Sequence, residues 1–335
     1  MKHTTIKDVA SKLNVSVSTV SRAFNDKYDI RTETKELVLK TAKEMGYRPN
    51  PIARKLIQQR SLNFGIIVPE FVNSFFPEVI IGAQEVLLAE GYQVLIMQSN
   101  ESSETDMKNV DTMVDNMVDG LIVSLTCENE NIEKYKELIA SEMPIVFFNR
   151  VVDDLPASKV VFDDYKWAFF ATEHLLVQGH TDIVHLSGPK NLLLSKNRSQ
   201  GFDAAHRKHK IPVGRKIPCG FSMEEGERVA LDLIKKDEVP TAIFAASDPG
   251  AIGAMKVFKD HGYAIPKDIA IVGFSESSLA EHIAPPLTSV SQPTRDIGQT
   301  AAKLLLEQID TKGLFVPQTI VLNGRLNVRE SSMKV

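Results

Sequence analysis

Only two of the 335 residues are cysteine, Cys127 and Cys219, and they stand far apart. Such sparse usage supplies neither a disulfide framework nor a zinc ligand set. No apolar run approaches the ~18 residues a membrane span requires. The opening Met1-Lys2-His3-Thr4-Thr5 leads into a polar amphipathic stretch without the apolar segment of a secretory signal, so a cytoplasmic chain is expected. Walker-type phosphate loops and G-x-G-x-x-G fingerprints are missing. Gly273-Phe274-Ser275-Glu276-Ser277 approaches a nucleophile elbow, but the final glycine is lacking and no His–Asp pair is placed to complete it. His206 and His209 are one helical turn apart, yet Arg207, Lys208 and Lys210 flank them, and neighbouring cations oppose a bound cation. A solvated basic face is expected there. The side chains of Asp153-Asp154 and of Asp163-Asp164, as sequence neighbours, point apart, which fits structural roles. No catalytic residue, metal or cofactor is expected.

What is present is ordinary in bulk and uneven in detail. With 43% hydrophobic and 24% charged residues, 18 Gly and 16 Pro, whole-chain disorder and a collagen repeat are excluded. The length suits two or three cored units. Residues 1–60 hold 13 Lys/Arg against 6 Asp/Glu, a net of +7, and the remainder holds 26 against 37, a net of −11. A basic head on an acidic body points to a polyanion partner for the head alone.

The first fifty residues carry helical periods only. Thr5 followed by Asp8 has capping-box character, and Ile6, Val9, Ala10 and Leu13 share a face. After Asn14-Val15, Ser16 can cap a second short helix with Val17, Val20 and Ala23-Phe24 on its apolar side. Thr32 would cap a third, with Leu37, Val38, Thr41, Ala42 and Met45 as its buried stripe and Gly46 as its stop. Two helices joined by a short turn and braced by a third form a helix-turn-helix. Val20 faces inward, which leaves Val17, Ser18, Ser21 and Arg22 toward solvent or DNA. A helix fits the major groove, where Arg can bond guanine and Val can touch a thymine methyl. Asn50 and Pro51 then mark the start of a barely two-turn helix through Ile57, too short to stand alone in water.

From residue 62 the pattern changes to strand–helix alternation. Apolar runs at Phe64–Val68, Val94–Met97, Leu121–Val123, Ile145–Phe148, Ile183–Leu186, Ala242–Ala245 and Ile269–Val272 alternate with amphipathic stretches, for example at 76–90, 105–117, 165–178, 224–235 and 249–262. This predicts parallel sheets covered on both faces, in two similar lobes.

The runs Thr5-Ile6-Lys7-Asp8-Val9-Ala10, Val15-Ser16-Val17-Ser18-Thr19-Val20-Ser21-Arg22 and Gly46-Tyr47-Arg48-Pro49-Asn50, with Ala53-Arg54 and Leu56, resemble the lactose/galactose-repressor family of bacterial transcription regulators. Asn73-Ser74-Phe75-Phe76, Val118-Asp119-Gly120-Leu121-Ile122, Gly179-His180, Arg198 with Gly201-Phe202, Ser247-Asp248, Gly273-Phe274, Pro286-Leu287-Thr288 and Gln292-Pro293 extend the likeness through the body. Each motif is weak alone, and their ordered co-occurrence is specific.

The resemblance implies an all-α helix-turn-helix head and an α/β body of two doubly wound parallel-sheet lobes, of the periplasmic-binding-protein type. The expected partition is a DNA-binding domain at 1–48, a hinge helix and linker at 49–60, and an effector-binding and dimerisation domain at 61–335. Within the last, lobe 1 takes about 61–162 and 292–322, and lobe 2 about 163–291 and 323–335. It implies a homodimer on a roughly palindromic operator in double-stranded DNA. Val17, Ser18 and Arg22 would read bases, while Thr5, Ser16, Thr19, Ser21 and Asn25 hold phosphates or position the helix. Asn50, Ala53 and Arg54 belong to the hinge, and Leu56 would be its wedge into the minor groove.

A small-molecule effector is expected in the cleft, where ligands sit beyond the C-terminal ends of parallel strands. The candidates are Phe75, Phe76, Asn149, Arg150, Arg198, Phe221, Ser247, Asp248, Ser275 and Gln292. Aromatic faces and Arg or Asp side chains suit a sugar or sugar derivative. Phe75 or Phe76 could equally be core, Arg150 could pair with Asp153 or Asp154, and Asp248 could cap a helix. Two departures stand out. Many members carry an Asp where this chain has Ser275, and Leu192, Leu193 and Leu194 occupy a loop that is often polar. Control by a protein corepressor is the alternative within the family. A solute-binding protein and a hydrolase are the rivals from other classes; a basic head argues against the first, and the incomplete elbow against the second.

Overall fold

The computed structural model describes residues 4–24, 30–47, 60–72, 74–128, 130–311 and 313–333, in two compact units, Met1–Ser61 and Leu62–Val335. No described helix is long and apolar enough to cross a membrane.

The head has three helices, α1 (Ile6–Leu13), α2 (Val17–Phe24) and α3 (Thr32–Glu44). A reciprocal box starts α1: the Thr5 hydroxyl accepts from the Asp8 N–H, and the Thr5 N–H donates to the Asp8 carboxylate at 2.7 Å. Asn14, left-handed at φ 53°, ends it, and the Ser16 hydroxyl accepts from the Thr19 N–H at 3.1 Å to open α2. Val9, Ala10, Val20, Ala23, Val38 and Ala42 form the buried core. Two details of α3 differ from expectation. Thr32 is its first residue and Arg31 the cap position, with no side-chain cap. Leu37 is 54% exposed. At about 100° per residue it stands a quarter turn away from the stripe centred on Val38, Thr41 and Ala42. Gly46, at φ +65°, stops α3 as expected.

The body contains two six-stranded sheets. The first joins β1 (Asn63–Val68), β2 (Gln93–Gln98), β3 (Leu121–Val123), β4 (Ile145–Phe148), β5 (Ser158–Phe162) and the late strand β11 (Thr319–Leu322) in the order β11-β5-β4-β3-β1-β2, all parallel. The second joins β6 (Ile183–Ser187), β7 (Lys216–Pro218), β8 (Ala242–Ala245), β9 (Ala270–Phe274), β10 (Thr288–Ser291) and β12 (Arg325–Asn327) in the order β12-β10-β9-β8-β6-β7, with only β12 antiparallel. Apart from Asn63 at the start of β1, the central strands are buried throughout, which is why they read as unbroken apolar runs.

Helices α4 (Phe75–Ala89), α5 (Ser103–Asp115), α6 (Ile132–Ala140) and α11 (Thr294–Thr311) accompany the first sheet. Helices α7 (Asp164–Val177), α8 (Leu193–His209), α9 (Met223–Lys235) and α10 (Asp248–Asp260) accompany the second. The α4–α11 pair packs backbone to backbone. A Cβ at Gly298 would lie 1.9 Å from the Val79 carbonyl oxygen, and one at Gly82 2.2 Å from that of Arg295.

Helices α6, α8 and α11 and strands β5, β7, β10, β11 and β12 lie outside the stretches named from the sequence. In α8 the reason is visible: Ser195, Arg198 and His206 are buried polar residues, so its inner face does not read as apolar. His206 is a correction. It is fully buried rather than solvated, its ring centroid 4.4 Å from that of Phe202, and only His209 reaches the surface to meet Glu173 at 3.0 Å.

Candidate functional site

In the head, burial of Val20 and Ala23 fixes the outer face of α2. Val17 is 41% exposed, Ser16, Ser18 and Arg22 are exposed, and Thr19 and Ser21 are half-buried. The Ser16 hydroxyl lies 2.7 Å from that of Ser18 and 2.8 Å from that of Thr19. Thr5 is exposed at the start of α1. These seven residues therefore give the head a hydroxyl-rich rim around one apolar and one cationic side chain, suited to phosphate and base-edge contacts. Asn25, Asn50, Ala53, Arg54 and Leu56 lie outside the described residues.

In the body, all ten candidate residues line a single cavity: Phe75, Phe76, Asn149, Arg150, Arg198, Phe221, Ser247, Asp248, Ser275 and Gln292. Parallel strands end on the same edge of each sheet, so residues just past β4, β8, β9 and β10 converge although they are scattered in sequence. The first sheet's side contributes Phe75, Phe76, Asn149 and Arg150, and the second the rest. The cavity volume is about 50 Å³, far below the ~300–1,000 Å³ usual for a small-molecule site. A sugar-sized ligand requires the lobes to part or side chains to move.

Two arginines wall the cavity. Arg198, on α8, donates from Nε to Asp164 Oδ1 at 2.8 Å and from Nη1 to the Ala246 carbonyl at 2.5 Å, and its Nη2 is also 2.8 Å from Asp164 Oδ1. Burial pushes Asp164 up and Arg198 down, and the attraction between them opposes both shifts. Arg150 follows β4 through Asn149, which is left-handed at φ 56°. Its partner is neither Asp153 nor Asp154. Nη1 donates to Glu101 Oε1 at 2.6 Å and Oε2 at 2.8 Å, and its guanidinium lies 5.7 Å from the Phe76 and the Phe221 ring centroids.

Asp248 is fully buried at the first residue of α10. It does not cap that helix: the Ser247 hydroxyl accepts from the Gly250 N–H at 3.2 Å instead. The Asp248 carboxylate accepts from the Ser289 hydroxyl and the Ser277 N–H, each at 2.6 Å. Burial pushes it up to about 7 against those bonds, with Glu276 adding to the rise. Gly273 makes room for it, since a Cβ there would sit 2.2 Å from Asp248 Oδ1. Ser275 is left-handed at φ 85°, and its N–H donates to the Val290 carbonyl at 2.9 Å.

Gln292 is 7% exposed, and both its amide nitrogen and oxygen lack a hydrogen-bond partner among the described residues, as does the Ser277 hydroxyl. Buried polar atoms are ordinarily paired. An unpaired amide on the cavity wall offers one donor end and one acceptor end to a ligand.

Phe75 and Phe76 serve core and cavity together, at 7% and 2% exposure within the cluster under α4. Four lining residues were not among the candidates: Ser74, Leu194, Pro249 and Ser277. Ser74 and Leu194 stood inside segments already singled out. Leu192–Leu194 is not a free loop. Leu193 opens α8 and packs on the first lobe's core around Ile67 and Tyr135. Glu101 left no sequence signal, because two successive left-handed residues, Asn100 and Glu101, carry it to Arg150.

A helix-turn-helix head and a body whose two sheets converge on one small cleft lined by aromatic and polar side chains define a ligand-responsive DNA-binding regulator. The head matches "Bacterial regulatory proteins, lacI family" over residues 5–50, and the body matches "Periplasmic binding protein-like domain" over 172–332. The ribose operon repressor of Halalkalibacterium halodurans is 35% identical over 312 residues, covering 93% of this chain and 92% of that protein. Catabolite control protein A of Priestia megaterium is 30% identical, covering 98% of this chain and 99% of that protein. The lac repressor dimer bound to operator and the anti-inducer ONPF superposes with TM-score 0.85 at 25% identity, over 99% of this chain and all of that one. The chain belongs to the lacI family of bacterial regulatory proteins. It is a DNA-binding transcription regulator with a periplasmic-binding-protein-like body, and it is not an enzyme.

Proposed function

We propose that the body cavity is the effector site, that a sugar or sugar derivative binds there, and that its binding sets the affinity of a homodimer for a roughly palindromic operator. The carrying observation is the convergence of ten scattered residues on one cavity whose Gln292 amide has both ends unpaired. Structures bearing bound ribose and cellobiose in related regulators support the ligand class. The lac repressor dimer on its operator supports the assembly. Val17, Ser18 and Arg22 read bases, with Thr5, Ser16, Thr19, Ser21 and Asn25 on phosphates or positioning the helix. Asn50, Ala53, Arg54 and Leu56 are assigned to a hinge at 49–60 that engages the minor groove between a head at 1–48 and the body. The compartment is the cytoplasm, where the DNA is.

The mechanism is linkage. An effector that prefers one relative setting of the lobes shifts the population toward it, and a coupling of ~1–3 kcal/mol changes operator affinity roughly 5–150-fold. The test is a thermal-shift screen against sugars, sugar acids, sugar phosphates and nucleobases, followed by operator binding with each hit. A compound that raises the melting temperature and alters operator affinity supports the reading. Silence across the screen favours a protein corepressor instead.

A further inference from the structure

The two arginine–carboxylate pairs at the cavity are built differently. Arg198 and Asp164 are both buried, with side chains 4% and 6% exposed, and three guanidinium nitrogens are occupied by Asp164 and the Ala246 carbonyl. That pair is permanent structure. Arg150 is as deeply buried, at 5%, but its carboxylate partner Glu101 is 37% exposed. Glu101 holds it through Nη1 alone, while the Arg150 Nε and Nη2 make no hydrogen bond among the described residues. Glu101 also accepts from the Cys127 N–H at 3.0 Å, and it rides a turn of two left-handed residues, Asn100 at φ 51° and Glu101 at φ 58°.

A buried guanidinium between two phenyl rings cannot shed its charge and needs an anion beside it. Glu101 meets that need from the solvent side and can return to water at little desolvation cost. It does not line the cavity, whereas Arg150 does. The unpaired edge of Arg150 has the fork geometry that takes a carboxylate through two parallel N–H donors. A neutral hydroxyl could accept from that edge, but only an anion replaces the counter-charge that Glu101 supplies.

We propose that the effector carries a carboxylate which pairs with Arg150 in competition with Glu101, so that the regulator answers to a sugar acid rather than to a neutral sugar. The inference rests on the cavity being the effector site. Glu101 is then the resident counter-ion of the empty state, and the Gln292 amide and Ser277 hydroxyl serve the ligand's hydroxyl groups.

The experiment is a thermal-shift titration of the full chain with D-gluconate, D-glucuronate and D-galacturonate, beside D-glucose, D-galactose, D-ribose and glucose 6-phosphate. At least one acid is expected to raise the melting temperature where its neutral counterpart does not. Glu101→Gln, which keeps the shape and the Cys127 contact but removes the charge, should bind that acid several-fold more tightly, and Arg150→Met should lose the shift. Ligand-free E101Q is expected to melt below wild type, since the buried guanidinium loses its anion; wild-type circular dichroism below that transition checks that the variant folds, and Glu101→Asp, predicted to bind at wild-type strength or a little better, provides a second variant. Binding of a neutral sugar or of the phosphate in place of the acids overturns the carboxylate assignment and leaves the cavity as the effector site. Acid binding that E101Q leaves unchanged overturns the competition. If no compound binds either protein, the effector-site reading falls with it.

Discussion

Arg198 lies over the Phe274 ring, its guanidinium carbon 3.8 Å from the ring centroid, while Asp164 holds its edge at 2.8 Å. A residue of α8 is thereby fastened to β9 and to the start of α7, and the cation faces the cavity without solvent contact. The same side chain is wall and strut.

Removing the strut has a calculable consequence. Arg198→Ala strands the buried Asp164 carboxylate, a loss of roughly 3–5 kcal/mol for a broken buried pair. We expect the body to melt well below wild type, and Arg198→Lys to restore little, because an ammonium cannot stack on Phe274 and fork onto Asp164 together. Denaturant melts of both variants check this; a lysine variant as stable as wild type would refute it.

Gln292 makes the opposite case. Its amide is buried and unpaired, which costs roughly 1–3 kcal/mol in the empty protein. Gln292→Leu should leave the ligand-free melting temperature unchanged or higher and abolish the shift produced by any effector. A variant that loses stability while keeping the ligand response would show that the amide is bonded internally.

Asp248 gives a pH dependence. Its folded value of about 7 lies above the ordinary 3.8 because of burial. Well below pH 3.8 the group is protonated in both folded and unfolded chains. As pH rises toward 7 the unfolded chain ionises first, so this residue's contribution is progressively lost. The span corresponds to on the order of 4 kcal/mol at most. Asp248→Asn should flatten stability between pH 4 and 7, despite losing one acceptor for Ser289 or Ser277. Parallel slopes in wild type and variant, measured by urea titration across that range, would remove Asp248 from the account.

His185 acts at the acid end. Its ring stacks on Phe244 at 4.7 Å, it is fully buried, and burial lowers it to about 4. The neutral form is the one the fold accepts, so stability is complete above about 6.5 and falls as pH drops toward 4. His185→Phe keeps the stacking and should reduce that acid sensitivity, at the loss of the 2.9 Å bond to the Phe244 carbonyl. Acid-unfolding midpoints compare the two directly.

In the head, Arg22→Ala should remove about 1–3 kcal/mol of discrimination at one base pair of the operator and leave non-specific, salt-dependent binding nearly intact. Selection of binding sites from random duplexes reads this out. Recovery of the wild-type consensus would reassign Arg22 to the phosphates.

Much of the fold was legible because its signals are local. The Thr5–Asp8 box, the Ser16 cap and Gly46 act within one turn of chain, and buried parallel strands such as Leu121–Val123 betray themselves by unbroken apolarity. Where a helix hides polar residues, as α8 does with Ser195, Arg198 and His206, the local pattern misleads. His206 accordingly turned from an expected surface residue into a buried ring against Phe202.

The charge split is likewise a property of sequence alone: +7 over residues 1–60 and −11 beyond them are sums that no folding alters. They assign the polyanion partner to the head. Tertiary structure decided which carboxylate serves which arginine. Asp153 and Asp154 are near Arg150 in the chain, yet Glu101, 49 residues away, takes the contact, and Asp164 reaches Arg198 across 34. Ion pairing follows distance in space and the loss of water around buried charge, and neither quantity exists until the sheets have brought their strand ends together.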